Sequence, residues 1–511
     1  MRILPLLRGR TVTLEEALLE DDHILHHLEY PKKKEKFWEL LGTHKSDIEE
    51  AVKLHLRIEG CCVTEEKEWQ SGSFNVVIPV ILSPPSEERV MIRIPLPYKI
   101  GEELNPGNVE KLRGEVATYI WIHENCPTVP IPTLHGFAFL DGTTPSLRSH
   151  LAYLLPNIFN GTQIVPYLQA HSRLPASCPY VKLKHLSPIK TGYMIISYVK
   201  TGRILSGDWK SILHDTSRRR TLFNDLGRIM VALNSIPLPR IGSLSMNNDG
   251  VIDVTNRPLT LRLHTMENEG IPIIPRDSTY ESIEPYLLDF LQCHDNRIHY
   301  QPNAVHDHND GIMQCSSLVM MRGVMHQYLS RQHRNGPFLL TLTDLHASNI
   351  FVDENWHITS LIDLEWACSF PVEMQIPPYW ITCQAIDSMG SKEQLEEFTA
   401  AITEFMDIFE EQEKMFRDAD ATQAKIMKNC WENGSYWYFL AVHSPKGLWR
   451  VFTDHIQRRF CEEHLTEPLF DHIVAPYWAV GTQELIKKKV ADDVEYHKRG
   501  CDLGKVTLSH S

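Results

Sequence analysis

Between Phe338 and Ala367 the chain reads FLLTLTDLHASNIFVDENWHITSLIDLEWA, and this stretch constrains the fold more than any other. An apolar run, Phe338 to Leu342, predicts a strand that opens into a polar loop from Thr343 to Asn349. Short apolar segments, Ile350 to Val352 and His357 to Ile362, flank the turn signal Asp353 to Trp356 and predict a hairpin. Asp344 and Asn349 stand at D-x-x-x-x-N spacing in the loop, and Asp363 follows the second hairpin strand. A carboxylate and a carboxamide, with a second carboxylate across a hairpin, form the set that phosphoryl transfer uses. One group orients an attacking hydroxyl, and two oxygen donors hold Mg²⁺ on nucleotide phosphates.

The rest of the chain has the bulk to surround such a stretch. Its 511 residues can bury a large core in two or three packed units. The balance of 51 basic against 65 acidic residues argues against a general nucleic-acid binder. No apolar run approaches the ~20 residues that span a bilayer. The 11 cysteines show no C-x-x-C spacing, which predicts reduced thiols and a cytoplasmic protein. The opening residues, with arginines and no acid before Glu15, would also suit a mitochondrial transit segment. Nothing in the pattern sets the oligomeric state.

Upstream, residues 1–65 read as a charged helical extension, with Ile48, Val52, Leu54, Leu56 and Ile58 near helical spacing. From Trp69 the texture becomes β. SGSFNVVIPVIL and RVMIRIPL predict strands, with Gly72 in the turn before the first and Arg93 within the second. VEKLRGEVATYIWIHEN predicts a helix that carries Glu115 beside an apolar stripe of Leu112, Val116, Tyr119 and Ile120. An insertion rich in Pro, Leu and His, about 146–190, carries no assignable role. TGYMIISYVKTG then gives a compact strand that runs into a turn at Ser197 to Val199.

After Gly202 the pattern turns helical, as in SRRRTLFNDLGRIMVALNSI and DSTYESIEPYLLDFLQCHDNRI. His294, His299, His306 and His308 cluster in sequence, but their spacing lacks the i, i+4 frame or thiolate partners of common zinc sites, so no structural metal is expected. SFPVEMQIPPYWIT reads as a loop that ends at Pro377-Pro378. KEQLEEFTAAITEFMDIFEEQEKMF predicts a long acidic amphipathic helix, and Trp431, Tyr436, Trp437, Tyr438 and Phe439 read as core packing.

Taken together, Asp344-Leu345-His346-Ala347-Ser348-Asn349 and Ile362-Asp363-Leu364-Glu365-Trp366-Ala367 resemble the motifs of the aminoglycoside phosphotransferase-like family, a branch of the protein-kinase-like fold. D-x-H-x-x-N followed by I-D-x-x resembles small-molecule kinases more than protein kinases. Asn256-Arg257-Pro258-Leu259 resembles a tract of the large fungal group within the family. The resemblance spans about residues 66–480. It implies an α+β, bilobal protein-kinase-like fold, with an extension at 1–65, a β-rich nucleotide lobe at 66–199 and a mainly helical catalytic and substrate lobe at 200–511. It implies ATP and Mg²⁺ as cofactors and a small polar or cationic metabolite as the hydroxyl acceptor.

By the same resemblance Asp344 is the catalytic base, and Asn349 and Asp363 are the Mg²⁺ ligands. Arg93 and Glu115 are the phosphate-positioning pair, Gly72 belongs to the nucleotide-covering turn, and the backbone from Ser197 to Val199 faces the adenine. Acidic residues such as Glu373, Glu396, Glu397 and Asp407 are candidates to receive amino groups of the acceptor. Three departures favour an alternative, a catalytically degenerate nucleotide-binding pseudokinase. Leu342 stands where the family has histidine, Arg93 replaces a lysine, and the turn at Gly72 has a single glycine.

Overall fold

The computed structural model describes residues 3–6, 11–18, 22–83, 88–101, 110–139, 144–147, 174–183, 191–212, 214–384, 391–417, 421–444, 447–461 and 468–506. Most of the 146–190 insertion lies outside them.

The smaller lobe is built on an eight-stranded antiparallel sheet. Its strands run in the order Tyr180–Leu183, Thr144–Leu147, Leu134–Ala138, Tyr193–Ser197, Arg89–Pro95, Asn75–Leu82 and Cys61–Val63, with Gln70–Ser71 also paired to Asn75–Leu82. Period-two alternation sorts the central strands between two faces. Val76, Ile78, Val80, Val90, Ile92 and Ile94 point to the outer face. There they pack with Tyr30, Phe37, Leu41, Ile48 and Val52 from the helices Tyr30–Thr43 and Lys45–Leu56. Met91 points the other way, into the core that holds the helix Glu110–Asn125, and Arg93 shares its parity. The first helices are thus the outer cover of the sheet, and without them its outer face would be a bare apolar patch.

The chain leaves this sheet at Ser197, and Arg203–Ile204 already pairs with Phe351 and Val352 of the second lobe. Gly202 makes that crossing possible. Its φ is +89°, and a Cβ there would stand 2.5 Å from Thr359 Oγ1.

The larger lobe is mainly helical. Thr216–Leu233, whose first turn is capped by Asp215 accepting from the Arg218 N–H, packs along Lys392–Arg417. Phe223 meets Phe405 edge-on, and Arg219 reaches Glu404 at 2.6 Å. Ile283–Tyr300, His308–Tyr328, Thr422–Asn433 and Ser435–Val442 complete the body. The aromatic run is core, as its composition predicts: Tyr436, Tyr438 and Phe439 are buried, and Trp437 stacks on His455. Among the described residues no helix is long and apolar enough to cross a membrane.

The tract at Asn256 to Leu259 ties the lobes together. Arg257 is fully buried and grips both oxygens of Glu110, the first residue of the Glu115-bearing helix, at 2.8 Å each. It also contacts Glu267 at 2.7 Å. Leu259 joins Phe74 and Trp366 in a small interlobe cluster.

Candidate active site

Two short antiparallel pairs, one nested inside the other, shape the loop region. Phe338–Leu342 pairs with Ala367–Pro371, Leu342 opposite Ala367, and Ile350–Val352 pairs with Ile358–Leu361. The segments 343–349 and 362–366 therefore leave neighbouring strands side by side. Their backbones are stitched by Ile362 N–H donating to the Asn349 carbonyl at 3.0 Å and by the Thr343 hydroxyl donating to the Trp366 carbonyl at 2.6 Å. The Asn349 side-chain amide donates to the backbone carbonyl of Asp344 at 2.9 Å. With its nitrogen committed there, the remaining Asn349 oxygen is the atom left for other partners. Asp363 sits in the left-handed region, φ +59°, an uncommon conformation that a short polar residue tolerates best.

The two lobes meet at Arg93. Its guanidinium lies 3.0 Å from Glu115, 2.6 Å from Asp363 and 3.2 Å from Glu365. The contact with Glu115 is an ion pair without a directed hydrogen bond, because neither Glu115 oxygen is hydrogen-bonded among the described residues. Lys111, one helical turn before Glu115, lies 2.6 Å from Glu365 and donates to the Asn75 side chain at 3.0 Å, and Asn75 in turn donates to Glu365 at 2.7 Å. Arg93, Lys111, Glu115, Glu365 and Asn75 are all buried, while Asp363 keeps its side chain 34% exposed.

This cluster explains the protonation behaviour around it. Burial pushes Glu115 above the ordinary carboxylate range even with Arg93 and Lys111 beside it, because Glu365 and Asp363 share those cations. Burial works in the same direction on Asp363, but the charge and hydrogen bond of Arg93 outweigh it and hold that carboxyl low. Burial, reinforced by Glu365 and Asp363 and opposed by Arg262, pushes Asp344 up to about 7.

Sequence spacing led to Arg93, Glu115, Asp344, Asn349 and Asp363, and these do converge. Lys111 and Asn75 escaped it, although Lys111 stands at i, i+4 to Glu115 and Asn75 ends the same SGSFN tract as Gly72. The Gly72 N–H is engaged inside its own turn, donating to the Asn75 carbonyl at 2.8 Å. The turn is also fastened down, since Phe74 meets the Trp366 ring edge-on at 5.1 Å. At the crossing, Ser197 donates its N–H to the Thr133 carbonyl, its hydroxyl lies 2.9 Å from His135, and Val199 is half-buried.

Beside Asp344 opens a cavity of about 420 Å³. Leu340, Leu342, Ile376, Trp380 and Phe439 supply much of its wall, with Asp344, His346 and Arg262 among the polar groups. Leu342, which stands where the family that the sequence resembles has histidine, is part of that wall. None of the acidic residues expected to meet a cationic acceptor lines it. Glu373 is buried and accepts from the Ser330 N–H, Glu396 and Glu397 do not reach the cavity, and Asp407 pairs with Lys428 at 2.7 Å.

A β-rich lobe, a buried basic residue on its sheet, a glutamate on the following helix, a crossing strand and an Asp/Asn loop before a second Asp are the parts of a protein-kinase-like fold, in its order. The chain matches no protein-family model and no curated protein. Solved structures similar to it include aminoglycoside phosphotransferase APH(2'')-Ib in its ADP-bound form, at 10% identity and TM-score 0.33 over 76% of this chain and 97% of that one. A macrolide 2'-phosphotransferase type I is similar at 8% identity and TM-score 0.33, over 84% and 96%. Macrolide 2'-phosphotransferase MphH from Brachybacterium faecium, an apoenzyme, is similar at 9% identity and TM-score 0.32, over 81% and 98%.

Proposed function

We propose that this chain is an ATP- and Mg²⁺-dependent phosphotransferase that moves the γ-phosphoryl group to a hydroxyl of a small molecule. The observation that supports it most is the 2.6 Å contact between Arg93 and Asp363, which joins the nucleotide-lobe ion cluster to the loop that carries Asp344. The donor set suits the cofactor: the free oxygen of Asn349 and the exposed part of the Asp363 carboxylate are the hard oxygen ligands Mg²⁺ takes. Bound there, the metal would neutralise charge developing on the phosphates. Arg93, positioned by Glu115, faces the phosphates, and the backbone from Ser197 to Val199 borders the nucleotide, while the Gly72 turn keeps its N–H for its own Asn75 carbonyl.

Asp344 orients the acceptor hydroxyl and takes its proton. A carboxyl held near 7 is matched to that task at neutral pH. The acceptor occupies the cavity beside it. Its wall of Leu340, Leu342, Ile376, Trp380 and Phe439 favours a molecule with an apolar body and a hydroxyl over the polar or cationic metabolite expected from the sequence. A second reading, the nucleotide-binding pseudokinase, draws on the same contact, because Asp363 already spends one oxygen on Arg93.

The deciding experiment is incubation of the purified protein with ATP, Mg²⁺ and a panel of hydroxylated compounds that spans apolar and polycationic members. Mass spectrometry would then follow phosphorylated products. Transfer that disappears in Asp344→Asn supports the enzyme. Nucleotide binding with no transfer to any member favours the pseudokinase.

A further inference from the structure

Of the four histidines clustered near residue 300, three are occupied with packing. His294 is buried on the Val442 carbonyl, His299 stacks on Trp478, and His308 lies beside His472. His306 is different. It sits just before the helix His308–Tyr328, and it faces residues almost two hundred positions later in the chain. Asp493 and His497, at i, i+4 on one face of the helix Thr482–Val506, complete a trio whose ligand atoms lie within 4.8 Å of one another.

We infer that His306, Asp493 and His497 form a binding site for a divalent transition-metal ion, Zn²⁺ by its donor set, that clasps the last helix to the body of the larger lobe. His306 Nδ1 is 3.4 Å from Asp493 Oδ1, and His497 Nε2 is 3.5 Å from Asp493 Oδ2. Ligand atoms on a tetrahedral zinc with bonds of about 2.0–2.1 Å stand roughly 3.4 Å apart. The two separations run to different oxygens of Asp493, and one ligand atom from each residue lies within 4.8 Å of the others, so a modest side-chain adjustment gathers all three on one ion. Asp493 is 6% exposed. Among the described residues its Oδ1 and the Nε2 of His497 have no hydrogen-bond partner. A buried carboxylate oxygen and an imidazole nitrogen left in that state need a ligand or a proton between them.

Two imidazoles with one carboxylate select zinc-like ions over Mg²⁺ or Ca²⁺, which take oxygen donors. The frame is held independently of the metal. Lys489 donates to the Gln301 carbonyl at 2.7 Å, and the His306 N–H donates to Asp310 at 2.9 Å. The two histidine side chains are about a third exposed, at 32% and 37%, which leaves an entry path and a solvent-facing fourth position. The same loop and helix hold the start of the described chain: Asn303 donates to the Asp22 carbonyl at 3.0 Å, and the Tyr496 hydroxyl accepts from the Leu25 N–H at 3.1 Å. Metal binding would thus also brace the segment around Asp22 and Leu25 against the last helix.

The test uses full-length protein stripped with a chelator and titrated with Zn²⁺ by calorimetry and with Co²⁺ by visible absorption. The expected result is a single equivalent of Zn²⁺, a four-coordinate Co²⁺ spectrum, and a rise in melting temperature on adding zinc. His306→Gln and His497→Gln should each weaken binding by about tenfold or more and remove the thermal response. Both side chains are partly exposed, so equal melting temperatures of the metal-free parent and variants would show that the fold survives. Failure to take up zinc would overturn the site. So would uptake that persists undiminished in the double variant, or variants that lower the metal-free melting temperature while zinc has no effect on the parent. That last result would leave the histidines as ion-pair partners of Asp493 alone.

Discussion

The loop from Thr343 to Trp366 and the charge cluster around Arg93 lie in contact but are built in opposite ways. The loop is local: nested pairs of short strands bring Asp344, Asn349 and Asp363 together within one continuous stretch, held by a backbone hydrogen bond from Ile362 to Asn349 and by the Asn349 side chain on the Asp344 carbonyl. The cluster is assembled from afar, from Asn75, Arg93, Lys111, Glu115 and Glu365, and buried side-chain ion pairs and hydrogen bonds hold it. The loop can lose the Asp344 carboxyl and keep its shape, because the Asn349 side chain binds the Asp344 backbone carbonyl instead. The cluster has no such tolerance, because removing one cation leaves carboxylates buried without compensation.

Substitutions at the two regions should therefore separate activity from stability. Asp344→Asn is expected to lower kcat by roughly 10²–10⁴-fold, the usual contribution of a general base, with an unchanged urea midpoint. Arg93→Met should do the reverse first, destabilising the fold by about 3–5 kcal/mol as a broken buried ion pair, measured by urea unfolding. Comparable stability losses for both variants would erase the distinction between the regions.

The pH profile sharpens the same contrast. In the proposed role, an Asp344 carboxyl raised to about 7 would be protonated and unable to accept the proton below that value. kcat/KM should fall about tenfold per pH unit on the acid side and level off above it. A profile flat from pH 5 to 8 would remove Asp344 from that role. The smallest effect is expected at Gly72. A Cβ there would meet the Asn75 carbonyl at 3.2 Å, so Gly72→Ala should destabilise by under about 1 kcal/mol and change the KM for ATP little, because the Gly72 N–H is already used within the turn. A large rise in that KM would show the turn opening to reach the nucleotide.

This contrast also explains what could be read in the sequence. The loop was legible because strand, turn and polar spacing all lie in one window. Arg93 and Glu115 were legible as a basic strand residue followed by a helical acid. Lys111 and Asn75 were not, because neither belongs to a spaced motif and their common partner Glu365 is hundreds of residues away. The first helices read as an extension because helical periodicity says nothing about which surface a helix covers. Likewise, the spacing around His306 shows no metal frame in sequence, since the i, i+4 pair it meets, Asp493 and His497, lies on the last helix. The apolar character of the cavity was hidden for a related reason, since its wall comes from strand, loop and helix segments far apart in the chain.

In the proposed function Asp363 serves both regions, as a partner of Arg93 and as an oxygen donor to Mg²⁺ on ATP. Titration of the protein with ATP, followed by thermal shift with and without Mg²⁺, tests it most directly. The expected result is a stabilisation by ATP that depends on Mg²⁺ in the parent and loses that dependence in Asp363→Ala. A shift of equal size without Mg²⁺, or one that Asp363→Ala leaves intact, would contradict it.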